Sequence, residues 1–269
     1  MEEQSSLIEA VAKEIGREGA GMNKQSGKLS DREIDEFGRQ FSKRYIVKKR
    51  VNAILCFVIA LCGTSAVLYS RFIFNNPLID RLRYMTFWGT IFTSVISLIS
   101  GIVCLMEAAK ETEVTYRHVY FLRLSAATAE LVIFSVVMFG LTPLVPDRPD
   151  VSSYPGIMMH LVIPIATVFS FLLNDAPLGK PRVEEPLKGT LLLAVYAVVM
   201  ITVFRSGILP DEKAPYSFLD FENTSLLYRA ACFAGVFGVG YLVSWLLMRL
   251  NMKLSWIWFF DIDRLKKKG

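Results

Sequence analysis

The sequence has few of the residues that hold small secreted or metal-binding domains together. Among its 269 residues there are only 4 cysteines and 2 histidines, and its 17 glycines and 11 prolines follow no period. The four cysteines fall in apolar segments, without CxxC spacing or a neighbouring histidine: Cys56, Cys62, Cys104 and Cys232. We therefore expect neither a zinc site nor a disulfide framework, and we interpret the cysteines as small packing residues. Collagen-like and low-complexity chains are excluded by the same counts.

Long apolar runs are what the sequence has instead. Hydrophobic residues make up 53% of the chain and charged residues only 20%, and the mean hydropathy of +0.40 is too high for a soluble domain. A helix of about 20 apolar residues crosses the hydrocarbon core of a bilayer. Six runs approach that length, near 51–73, 85–106, 119–141, 156–174, 187–206 and 228–249. The sequence therefore predicts an all-α polytopic membrane protein with six transmembrane helices.

The basic residues indicate the orientation. The net charge is +5, and the positive residues flank the apolar runs without interleaved aromatics, so we expect no nucleic-acid partner. Basic clusters precede the first run (Lys43, Arg44, Lys48, Lys49, Arg50) and follow the last (Arg264, Lys266, Lys267, Lys268). This bias predicts that both termini are cytoplasmic. The predicted regions are a helical N-terminal stalk (1–50), a six-helix domain (51–250) and an interfacial basic tail (251–269). A polar N-terminus without a cleavable signal peptide and a compact Lys-rich tail suit a bacterial inner membrane.

Polar residues inside apolar spans are the candidates for function, because each one is unfavourable in hydrocarbon. In the second run, Thr86, Thr90, Thr93 and Ser97 recur on one helical face, which we expect to point into the bundle. The alternative is that these hydroxyls only bond back to carbonyls of their own helix. His160, in the fourth run, is followed by Pro164, which loosens the local backbone.

Three segments are predicted to meet at one side of the membrane. Thr86 and His160 each lie within about one turn of the start of a span that enters from the non-cytoplasmic side. The loop between the last two runs opens on that side and carries three aromatics that suit a lid or rim: Tyr216, Phe218 and Phe221. Arg205 and Arg229, at the same level, either snorkel to headgroups or bind a lipid carboxylate.

Glu130 is the only acidic residue deep in a predicted span. It is a candidate structural anchor paired with another span, and alternatively a residue that handles protons or orients His160. Arg123 lies seven residues earlier on the same helical face.

Motifs of soluble hydrolases and nucleotide-driven transporters (GxSxG, HExxH, a Walker loop) do not occur in the sequence. Three segments in order, RYMTFWGTIFTSVISLISG, MMHLVIPIATVFSFLLND and PYSFLDF, resemble the androgen-induced and androgen-dependent TFPI-regulating protein family of six-span membrane hydrolases. The likeness covers roughly residues 51–250 and is nearer to uncharacterised bacterial relatives, because Pro164 follows the histidine and the YPFL segment of the family reads YSFL here. The resemblance implies hydrolysis of fatty acid esters of hydroxy fatty acids, with Thr86 as nucleophile and His160 as its base.

The leading hypothesis is therefore an intramembrane lipid ester hydrolase that needs no metal or organic cofactor. Glu130 and Tyr216 are candidate supporting residues, and Thr90, Phe218 and Arg229 are candidate contacts to the substrate. The expected partners are a fatty acyl ester and membrane lipids. The alternative is a lipid-binding membrane protein without enzymatic activity, a receptor or a small transporter that uses the same shallow cavity.

Overall fold

The computed structural model describes residues 31–74, 81–110, 117–141, 152–174, 182–209, 214–216 and 219–260. Within these ranges it describes the side chains of 45–70, 81–109, 117–139, 152–174, 182–209, 214–216 and 219–255. By internal contacts the chain divides into Met1–Arg44 and Tyr45–Gly269. The site and the energetics discussed below belong to the second unit.

The described residues form helices and no strand. The helices are α1 (Asp31–Phe74), α2 (Met85–Lys110), α3 (Arg117–Ser135, continued by a π-helical segment, Val136–Leu141), α4 (Tyr154–Leu172), α5 (Glu185–Gly189), α6 (Leu191–Arg205) and α7 (Leu226–Phe260). Five of them (α1 to α4 and α7) are long and apolar enough to cross a membrane. This confirms an all-helical integral membrane protein.

The predicted fifth span is divided into two helices. α5 has 5 residues and α6 has 15, so α6 alone is shorter than the ~20 residues of a full crossing. The helix breaks at Thr190, and the backbone N–H of Leu192 donates to the Ser125 hydroxyl of α3 at 3.0 Å instead of to its own helix. At Gly189 the chain passes so close to α7 that a Cβ atom would lie 2.0 Å from the Ser244 hydroxyl, which explains why glycine occupies this position.

α3 is the central helix of the bundle. Of its apolar window 67% is buried, compared with 22% for α7, which lies at the periphery. One face of α3 contributes Ile133 to a cluster that contains Met85 of α2 and Leu192 of α6. Another face packs Leu124 with Phe171 of α4 and Leu247 of α7. Polar residues of α3 are therefore kept away from lipid by neighbours on several sides.

Two ends of the bundle can be defined by contacts between helices. At one end Ala66 of α1, Phe87 of α2 and Met159 of α4 pack together, close to where α2 and α4 begin; we call this the Thr86 end. At the opposite end, Arg117 at the start of α3 forms an ion pair with Glu185 at the start of α5; we call this the Arg117 end.

Candidate functional site at the Thr86 end

The histidine of α4 lies in a π-helical turn. Met158–Val162 is π-helical, and the backbone N–H of Ile163 donates to the carbonyl of Met158, five residues earlier. The nitrogen of Pro164 has no hydrogen to donate to the carbonyl of His160, which would be its partner in an α-helix. The predicted loosening of the backbone next to His160 is therefore confirmed, and the widened turn at this position has a local cause.

Thr86 and His160 lie on adjacent helices at the same end of the bundle. Phe87 follows Thr86 and Met159 precedes His160, and these two apolar neighbours pack in one cluster. Both polar side chains are partly exposed, although each lies on the helical face that is otherwise buried. No direct hydrogen bond joins Thr86 to His160 among the described residues, so contact between them requires a bridging water or a small closure.

The predicted inward face of α2 is confirmed. Thr90 and Thr93 are 0% exposed and Ser97 is 7% exposed. The alternative of bonding to a carbonyl of the same helix holds for two other residues, Ser94 (to Thr90, 2.7 Å) and Ser100 (to Ile96, 2.6 Å). Within the described residues the hydroxyls of Thr90 and Thr93 make no hydrogen bond, although the Thr93 hydroxyl lies close to the Glu130 carboxyl group. Thr90, a candidate substrate contact, is closed off by α1 at Gly63.

The start of α2 is held in place by aromatic residues from α6 and the following loop. The Tyr196 hydroxyl donates to the carbonyl of Arg83 at 2.5 Å. The backbone N–H of Met85 hydrogen-bonds to the phenol of Tyr216, whose pKa burial nevertheless raises to about 12. The structure thus places Tyr216, a predicted supporting residue, beside the residue that precedes Thr86.

The candidate contact Arg229 is part of a paired arrangement. Its guanidinium carbon lies 4.8 Å from the centroid of the Phe221 ring, and that of Arg205 lies at the same distance from the same ring. Arg229 also donates to the carbonyl of Phe221 at 3.1 Å. Neither arginine forms an ion pair within the described part of the chain. Phe218, the remaining predicted contact, lies outside the described residues.

Glu130 lies against α2, and its two predicted roles, as a structural anchor and as a residue that handles protons, stay predictions. It is 0% exposed, and its carboxyl group faces α2, where a Cβ atom on Gly89 would lie 3.4 Å from Oε1 and the Thr93 hydroxyl lies nearby. Neither carboxyl oxygen makes a hydrogen bond of acceptable geometry. Glu130 is therefore joined neither to His160 nor to Arg123 in this packing.

A hydrogen-bonded network at the Arg117 end was missed by sequence analysis. Arg123 donates through Nη2 to the carbonyl and the hydroxyl of Ser170 at 2.6 and 2.7 Å, and to Asn52 Oδ1 at 3.3 Å. The Ser170 hydroxyl in turn donates to Asn52 at 2.8 Å. The only available signal was the polarity of Asn52 and Ser170 inside apolar runs.

Two expectations are corrected at this end. Cys56 and Cys104 are not only packing residues, because Cys56 Sγ lies 3.2 Å from the Ser170 hydroxyl and Cys104 Sγ accepts from Asn52 at 3.8 Å. Lys49, expected among basic residues that face the leaflet, is 2% exposed and pairs with Glu107 at 2.5 Å. α1 and α2 therefore continue far enough at this end to bury the ion pair between Lys49 and Glu107. A cavity of about 10 Å³ beside Arg123 and Glu107 has room for one water.

Comparison with known proteins gives no match to this chain: no family model, no curated protein and no solved structure is significantly similar.

Proposed function

We propose that the protein is an intramembrane hydrolase of lipid esters, with Thr86 as the nucleophile and His160 as its general base. The observation that supports this most directly is the packing of Phe87 against Met159, which brings the turns that carry Thr86 and His160 together at one end of the bundle. The resemblance of three sequence segments to a family of membrane hydrolases implies the same pair of residues.

The chemistry requires two acyl-transfer steps. His160 accepts the hydroxyl proton of Thr86 while Thr86 Oγ1 attacks the ester carbonyl, and the protonated imidazole then donates that proton to the departing alcohol. Water, deprotonated by His160, hydrolyses the acyl-threonine and releases the fatty acid. The absence of a direct hydrogen bond between the two residues is compatible with this sequence, since such contacts often tighten only when substrate is bound.

The surrounding residues have defined roles in this proposal. Tyr216 lies beside Met85 and is the nearest candidate to donate a hydrogen bond to the developing oxyanion. Arg229 and Arg205, whose guanidinium groups lie on the same Phe221 ring, suit an anionic group on the substrate. The acyl chains would lie between helices, with Phe218 and Thr90 as the contacts still to be tested.

We also propose that the protein lies in the inner membrane of a bacterial cell. Its chain crosses this membrane six times, and both termini are cytoplasmic. α5 and α6 together extend from the ion pair at the start of α3 to Phe204, which packs with Val137 near the end of α3. Reporter fusions that are active on only one side of the membrane, placed after residue 110 and after residue 209, test the arrangement. Activity on opposite sides is expected, and activity on one side would contradict six crossings.

The decisive experiment compares ester turnover and fluorophosphonate labelling of the purified protein in detergent. Thr86→Ala and His160→Ala should abolish both, with the thermal transition retained. The matched controls are Thr64→Ala, an exposed threonine of α1, and His118→Ala, an exposed histidine at the opposite end of the bundle. Both should keep wild-type turnover. If wild type shows no turnover over a range of acyl chain lengths but binds the esters, the lipid-binding alternative replaces the enzyme.

A further inference from the structure

Glu130 is a buried carboxyl group that has no ion-pair partner in the part of the chain that the structure describes. The ion pairs of the described residues are Lys49–Glu107, Arg117–Glu185 and Arg182–Glu184, and none involves Glu130. An isolated carboxylate in an apolar interior is very unfavourable and normally takes up a proton instead. The contrast with Glu107 is direct, since Glu107 is almost as deeply buried, at 2% exposure, but has an ammonium partner.

The groups around the carboxyl are not charged on any side that the structure describes. α2 presents Gly89 and Thr93 to it. On its own helix, Arg123 lies about 10 Å earlier along the axis and is occupied by Asn52 and Ser170. On the α6 side, the Tyr196 hydroxyl is bonded to a carbonyl. The neutral acid is the form that this environment accommodates.

A column of hydroxyl groups leads from Glu130 to the Thr86 end. Thr93, Thr90 and Thr86 are three to four residues apart, and such residues are neighbours on a helix surface, with Cβ atoms about 5–6 Å apart. Thr93 and Thr90 are 0% exposed and their hydroxyls have no hydrogen bond among the described residues, whereas Thr86 is partly exposed. Because no carbonyl holds these hydroxyls, each can rotate about χ1 and bond in turn to its neighbours in the column, as a stepwise proton relay requires.

We propose that Glu130 is an intramembrane proton-binding site that exchanges its proton with the Thr86 end through the hydroxyls of Thr93, Thr90 and Thr86. In one exchange the carboxyl proton passes to Thr93 Oγ1 while each hydroxyl releases its own proton to the next, and the last proton goes to water at Thr86. The return of a proton by the reverse route restores the acid. This site is independent of the proposed ester hydrolysis, which uses Thr86 without needing Glu130.

The first test is the infrared spectrum of the purified full-length protein in H2O and D2O. A protonated carboxylic acid has a carbonyl stretching band separate from that of a carboxylate, and the band shifts when its proton is replaced by deuterium. The wild type should show this band, and Glu130→Gln should lack it while keeping a wild-type thermal transition. Glu184→Gln, an exposed carboxylate, is the control and should leave the band unchanged. A wild type without the acid band overturns the proposal.

The second test measures how fast that band shifts after transfer into D2O. Thr93→Val and Thr90→Val should each slow the shift by about tenfold, which corresponds to a barrier to exchange that is higher by ~1.4 kcal/mol. Ser94→Ala is the matched control, because the Ser94 hydroxyl is buried on the same helix but already bonded to a carbonyl, and it should leave the rate unchanged. Equal rates in wild type and both valine variants would overturn the hydroxyl column. Ester turnover is measured in parallel, so failure of either proposal is seen separately.

Discussion

At the Arg117 end, Arg123 and Lys49 are buried with hydrogen-bond or ion-pair partners, whereas Glu130, Thr90 and Thr93, which lie toward the Thr86 end, are buried without a hydrogen bond or ion pair among the described residues. Both groups of residues are buried in apolar helices of the same bundle, so burial does not explain why only the first group has partners. Bonded groups hold helices α1, α3 and α4 in register. Buried polar groups without hydrogen bonds do not hold helices in register. Each of them lowers the stability of the fold, because it has lost its hydrogen bonds to water. The Arg117 end is therefore stabilised by a buried polar network, to which the unbonded groups near the Thr86 end have no equivalent.

The largest expected effect is on the ion pair of the Arg117 end. Glu107→Ala removes the carboxylate that pairs with the buried Lys49 ammonium and should lower the free energy of unfolding by about 3–5 kcal/mol. Glu184→Ala removes the exposed pair with Arg182, whose side chains are 62% and 74% exposed respectively, and should change it by less than about 0.5 kcal/mol. Unfolding in one detergent measures both, and similar values would show that the Arg117 end is not the more stable one.

The next effect is a pH dependence that belongs to the Thr86 end. The pKa of Tyr216 is raised by burial from 10.0 to about 12, so its stabilising contribution is complete below pH ~10 and is lost as the pH rises through ~12. At about 1.4 kcal/mol per pKa unit, the loss is at most roughly 2–3 kcal/mol. Tyr216→Phe should unfold with a shallower dependence over this range than wild type. Identical pH profiles would contradict the burial of this phenol beneath the loop.

A third prediction concerns the contact of α2 with α3 beside Glu130. A Cβ atom on Gly89 would lie 2.6 Å from Ile133 Cδ1, so Gly89→Ala should destabilise by about 1–3 kcal/mol through overpacking. Gly235→Ala on α7 meets nothing within 4 Å and should be neutral or stabilising by up to about 1 kcal/mol. Thermal unfolding of the two variants distinguishes a tight crossing from ordinary helix propensity. Equal thermal transition temperatures for the two variants would mean that α2 and α3 are not in close contact at Gly89.

The smallest effect is the most direct test of the contrast between the ends. Thr93→Val removes a hydroxyl without a partner at nearly constant volume and should be neutral or stabilise by up to ~1 kcal/mol. Ser170→Ala removes a hydroxyl that bonds Arg123 and Asn52 and should destabilise by about 1–3 kcal/mol. We therefore predict that the two substitutions change the free energy of unfolding in opposite directions. Destabilisation by Thr93→Val as large as by Ser170→Ala would show that the Thr86 end is hydrogen-bonded after all.

Apolar periodicity predicted the helical class, six spans of which five are long helices in the structure, and the inward face of α2, because these follow from length and from which residues avoid lipid. It did not predict the break at Thr190, since Leu192 obtains its hydrogen bond from Ser125 on another helix. Nor did it predict the neighbours of Glu130, because the approach of α2 depends on the missing side chain of Gly89. The spacing of residues along one helix does not show which residues of other helices they contact.

The π-helical turn Met158–Val162 has a consequence for insertions and deletions. Such a turn holds one residue more than an α-helical turn, so the loss of a single codon there would leave α4 as a continuous apolar helix still close to crossing length. Because the π-helical turn already takes up the extra residue, the parts of α4 before and after it would stay in nearly the same rotational register, whereas the same deletion in a regular α-helical turn would rotate them by about 100°. Only the residues within the turn, His160 among them, would change direction. At this position, the number of residues is as much a determinant of the site as their identity.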